Sequence, residues 1–61
     1  MTYTVIIVDD EMPARLNLIN MLKLYSDFKV IGEASDGEDA LLLCAEKLAD
    51  VVFLDIKLRD M

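Results

Sequence analysis

The sequence predicts an α/β fold built on a small parallel sheet. Two observations carry this. Apolar, β-branched segments alternate along the chain with segments of helical periodicity, and the first of these segments is nearly continuous in apolar residues. A strand that is apolar at successive positions is covered on both faces, as happens when helices lie above and below a parallel sheet. Strand–helix–strand alternation at this spacing is the pattern of right-handed crossovers.

The elements follow in order. TYTVIIV, Thr2 to Val8, predicts the first strand (β1), which stops at Asp9 and Asp10. Pro13 then stands where a first helical residue is expected, having no N–H to lose there. Asp10 and Glu11 favour the positive end of that helix (α1), which Ser26 and Asp27 are expected to close. Its predicted inward face is Ala14, Leu18, Met21, Leu22 and Tyr25, widened by Leu16 and Ile19. FKVIGEA, Phe28 to Ala34, predicts a second strand (β2), in which Gly32 marks a bulge or a close backbone approach. Ser35, Asp36 and Gly37 turn the chain, with Asp36 as N-cap and Asp39 at the capping-box position. A second helix (α2) is expected from about Glu38 to Lys47, burying Ala40, Leu41, Cys44 and Leu48. Val51 to Leu54 predict a third strand (β3), running into Asp55.

Composition narrows the function classes. The chain has 61 residues, one domain at most, and at that size only roughly 60% of the unfolded surface is buried. It is 56% hydrophobic, with a mean hydropathy of +0.40, which argues against disorder. So apolar a short chain is expected to place some of that surface in an interface. Six basic and twelve acidic residues give a net charge of −6, which repels nucleic acid and anionic membrane and attracts cations. The absence of histidine and the single Cys44 exclude a zinc site or histidine-dependent catalysis within these residues. One cysteine cannot form an internal disulfide, so a cytoplasmic location is expected. No apolar run approaches the ~18 residues of a membrane span. The two glycines, Gly32 and Gly37, leave no glycine-rich dinucleotide fingerprint after the first strand.

The acids are the informative residues. In an open parallel sheet, ligands bind outside the carboxyl ends of the strands. Asp9 and Asp10 follow β1, and Asp55 follows β3. If these strands are neighbours, three carboxylates share one edge, where their repulsion favours a cation. Carboxylates and carbonyls suit Mg²⁺, and an acid beside it can attack a phosphoryl group. Each residue also has a plainer reading. Asp9 and Asp10 alone are good helix-start acids, and Asp36–Gly37 is a turn and cap rather than a calcium loop. Cys44 is expected to be a small buried hydrophobe, and Met12 and Met21 core. Glu11 either supports the acid pair or compensates the helix dipole.

VIIVDDE, GEASDGEDAL and VVFLDIKL together resemble the receiver domain of bacterial two-component response regulators. The match spans the whole chain in order and spacing, but only the first half of that domain. The start DDEMPAR, Asp9 to Arg15, is most similar to regulators with a LytTR-type DNA-binding output domain. The resemblance implies a flavodoxin-like, doubly wound half-sheet, β1-α1-β2-α2-β3, with strand order 2-1-3. It implies that Asp55 accepts a phosphoryl group from a sensor histidine kinase. Asp9 and Asp10 would hold Mg²⁺, Asp10 directly and Asp9 partly through water, with Asp55 and the backbone carbonyl of Lys57 completing the protein ligands. Arg59 stands where receivers usually carry proline, which puts the loop after Lys57 in question. The switch Ser/Thr and the lysine of the family lie on later strands, and neither Lys57 nor Arg59 replaces that lysine.

These expectations define residues 1–61 as the first half of a receiver, a phosphoacceptor rather than an enzyme. Strand order 2-1-3 leaves β3 at an open edge, where Val51 to Leu54 expose unpaired backbone. A homo-oligomer through that edge or the uncovered sheet faces is therefore expected. The alternative function is a self-associating fragment without phosphotransfer. An aspartate-nucleophile phosphatase is disfavoured, since Lys57 occupies the place of its second acid.

Overall fold

The computed structural model describes residues 1–55. It contains β1 (Tyr3–Asp9), α1 (Met12–Leu22), β2 (Phe28–Ala34), α2 (Gly37–Glu46) and β3 (Val51–Asp55). The three strands are parallel, in the order β2-β1-β3, as the family resemblance implied. Both β1 and β3 run one residue further than predicted, so Asp9 and Asp55 are the last residues of their strands rather than the first of the loops.

The uninterrupted apolar run of β1 is explained by its central place. Val5, Ile6, Ile7 and Val8 are essentially inaccessible, and successive residues serve opposite faces. Val5 and Ile7 pack with Ile19 and Leu22 of α1, flanked by Leu18, Phe28, Val30, Val51 and Phe53. Ile6 and Val8 pack with Ala34 and Ala40, flanked by Ile31, Leu43 and Ala49. Each fully buried Val or Ile of β1 contributes on the order of 1.5–3 kcal/mol by leaving water.

The helices depart from their predicted faces. Helix α1 ends at Leu22, not at Ser26–Asp27, because a turn takes over: the N–H groups of Leu24 and Tyr25 donate to the carbonyls of Met21 and Leu22. Pro13 is the second helical residue, where the N–H is still an orphan. Ile19 and Leu22 are the buried positions of α1, while Met12, Leu16, Met21 and Tyr25 are exposed. Tyr25 instead meets Phe28 edge-on, at 6.5 Å between ring centroids. In α2, Asp36 caps as expected, accepting from the Asp39 N–H at 2.8 Å. Ala40 and Leu43 face the sheet. Leu41 (74% exposed), Leu48 (94%) and Cys44 do not, so Cys44 is an exposed thiol rather than a core residue. The apolar run ALLLCA surrounds the helix, so periodicity alone admits a face rotated by one position.

Gly32 fulfils the first of its two predicted roles, the bulge. Val5 pairs with Val30 but Ile6 with Gly32, so Ile31 is the extra residue of a bulge. The Ile31 carbonyl, diverted there, accepts from Lys47 Nζ at 2.7 Å. A Cβ on Gly32 would lie 3.4 Å from both terminal methyls of Leu43. At the amino end of the sheet Asp50 clasps Thr4. Its carboxylate accepts from the Thr4 N–H at 2.9 Å and from the Thr4 hydroxyl at 3.1 Å, while its own N–H donates to the Thr4 carbonyl at 3.0 Å.

Candidate functional site

The carboxyl edge of the sheet is where the chemistry-bearing residues gather. Asp9 and Asp55 are register partners across the β1–β3 pair. Parallel register partners point to the same side, and both acids border one open cavity of about 360 Å³ on the α1 face. Asn17, Leu18 and Met21 of α1, with Phe53 of β3, form much of its wall. Asp9 is only 7% exposed, whereas Asp55 is exposed at the sheet margin.

Local structure explains why β1 ends in an acid. Asp9 Oδ1 accepts the Glu11 N–H at 2.9 Å, a side-chain turn that redirects the chain from strand to helix. The half-buried Asp10 lies within that turn but does not line the cavity. Thus strand pairing sets two of the three predicted acids side by side, while Asp10 follows in the turn and does not join them in the three-carboxylate cluster the sequence predicted. Lys57, predicted to lend its carbonyl, lies outside the described residues.

Among the described residues no three acids or thiols stand close enough to form a preformed metal cage. The donor set nonetheless suits Mg²⁺, which keeps several waters and is commonly bound through only one or two protein carboxylates. The neighbouring carboxylates of exposed Asp55 and buried Asp9 offer that number of oxygen ligands without a cage.

Two residues at this edge escaped the sequence reading. The Arg15 Nη1–H donates to the Asp9 carbonyl at 2.8 Å, and its Nε–H donates to Glu33 Oε1 at 2.8 Å. Arg15 thereby ties the ends of β1 and β2 to the first turn of α1. The signal available was a lone cation one helical turn after two acids. Its partner, eighteen residues on in β2, has no signature in local spacing.

The sequence model of the response regulator receiver domain matches residues 5–61 of the chain. The chain belongs to this receiver domain family. Similar proteins agree: the receiver is 46% identical over 56 residues to the sensory transduction protein LytT of Bacillus cereus, covering 92% of this chain and 23% of that protein. It is 37% identical over 57 residues to the transcriptional regulatory protein LiaR of Bacillus subtilis, covering 93% of this chain and 27% of that protein. The response regulator protein VraR of Staphylococcus aureus is 33% identical over 61 residues, covering the whole chain and 29% of the relative. The chain thus spans about a quarter of the length of these relatives. No solved structure matches. The β2-β1-β3 order is the sheet topology that the family resemblance implied.

Proposed function

We propose that this receiver is a phosphoacceptor in which Asp55 takes a phosphoryl group from the phosphohistidine of a sensor histidine kinase. The observation that supports it is the strand register that sets exposed Asp55 opposite buried Asp9. A carboxylate oxygen of Asp55 attacks phosphorus, an O–P bond forms, and the P–N bond breaks. The imidazole leaves with the bonding pair and takes a proton from solvent. Asp9 and Asp10, with Asp55 and the Lys57 carbonyl, would hold Mg²⁺, which when bound offsets charge on the phosphoryl oxygens. The chain is an acceptor used once per phosphorylation rather than an enzyme. Residues 1–61 are read as the leading half of one cytoplasmic receiver domain, without direct nucleic-acid contact. DNA binding is assigned to a LytTR-type output domain of the longer protein, a reading supported by the DDEMPAR start.

Incubation with Mg²⁺ and acetyl phosphate, followed by intact mass spectrometry, tests this. One phosphoryl adduct is expected on the chain and none on Asp55→Asn. An unmodified wild-type chain would refute acceptor activity in these residues.

A second reading is supported by a separate observation. Among the described residues β3 has no strand on its outer side, and Val52 and Leu54 line an open apolar groove of about 500 Å³ with Leu41 and Cys44. An unpaired strand beside apolar surface is a template for another copy of the chain. Self-association through β3 follows, independent of phosphotransfer. Sedimentation at micromolar concentration is expected to show a dimer or larger species, and a folded monomer would refute it.

A further inference from the structure

Arg15 is a full positive charge lodged at an edge whose proposed task is to bind another one. Its side chain is only 11% exposed, so solvent screens it weakly. A cation so placed could neutralise Asp9 and Asp10 itself and compete with a divalent ion. The geometry shows it otherwise employed. One arm of the fork is spent on the main-chain carbonyl of Asp9, and Nε is spent on the carboxylate of Glu33. Glu33 belongs to β2, on the far side of β1 from Asp55, so the ion pair draws the charge away from the β1–β3 side.

We propose that Glu33 acts through Arg15 as a positioning pair for the metal-binding edge. It holds the guanidinium on the Asp9 backbone and off the Asp9 and Asp10 carboxylates, keeping them available to Mg²⁺. The metal part rests on the acceptor reading above. The backbone part does not. Arg15 anchors the Asp9 carbonyl while the Asp9 side chain caps the Glu11 N–H, so the guanidinium and the carboxylate grip the same turn from two sides. Groups that orient ligands without touching the ion commonly change metal affinity by 10–100-fold when lost.

The test is a double-mutant cycle in the full chain, read by calorimetric titration with MgCl₂ and by amide hydrogen exchange. Glu33→Gln keeps the shape and removes the charge that restrains Arg15. It is expected to weaken Mg²⁺ binding about tenfold. In an Arg15→Met background the same change is expected to have no effect, because no guanidinium remains to restrain. Arg15→Met should also speed exchange at Glu11 while Ile7, in the core of β1, stays protected. Equal Mg²⁺ affinities for wild type and Glu33→Gln, or equal losses in both backgrounds, would overturn the proposal. A wild-type chain that binds no Mg²⁺ would refute the metal reading. In that event Glu11 exchange decides alone: selective acceleration in Arg15→Met upholds the positioning of the turn, and unchanged exchange overturns it.

Discussion

Asp36 and Gly32 show how much single side chains contribute here. The Asp36 carboxylate satisfies one orphan N–H of α2, so Asp36→Ala is expected to cost about 1 kcal/mol in denaturant unfolding. At Gly32 a methyl group just reaches van der Waals contact with Leu43, so alanine fits. Valine would drive further carbons into that side chain, and Gly32→Val is expected to destabilise by about 1–3 kcal/mol, read the same way. These positions were legible in the sequence because their signals are local: a cap followed by an acid, and a glycine inside a strand. Asp9 and Asp55 were legible because each closes an apolar run, and parallel pairing did the rest. Arg15 and Glu33 were not, since an ion pair between α1 and β2 depends on how the helix docks. The exposure of Cys44 was hidden for another reason: its neighbours are apolar all round the helix.

At the scale of elements, strands were read more surely than helices. A strand's period of two leaves no ambiguity when successive positions are all buried, as from Val5 to Asp9 of β1. Helix α2 presents apolar residues in every direction, and its docking face was settled by contact with the sheet rather than by sequence period. The bulge in β2 illustrates a further dependence. It turns the Ile31 carbonyl toward Lys47 at the end of α2, linking strand and helix by one charge-assisted hydrogen bond. Lys47→Met is expected to cost about 1 kcal/mol by thermal or denaturant unfolding, since the carbonyl can fall back on water. The β3 edge carries a prediction of its own kind. Leu54→Lys places a charge on the exposed groove side and should shift the sedimentation profile toward monomer without unfolding the chain.

The described residues form two small cores on opposite faces of the sheet. Ile6 and Val8 serve one, Val5 and Ile7 the other, so β1 is common to everything. A chain of this length is expected to have roughly 3–9 kcal/mol of stability. Ile6→Ala should cost about 2–5 kcal/mol and leave much of the chain unfolded by circular dichroism. The Thr4–Asp50 clasp has a bearing on how such a molecule comes into being. It joins residues 46 positions apart, at the point where β3 enters beside β1. During synthesis β2 emerges well before β3, so the central strand has only one neighbour while some twenty further residues are being made. Its other flank, the one that will carry Asp9 toward Asp55, then lies open to whatever the ribosome exit offers. Contacts so distant in sequence form slowly, and the acid edge is therefore assembled after the β1–β2 pair.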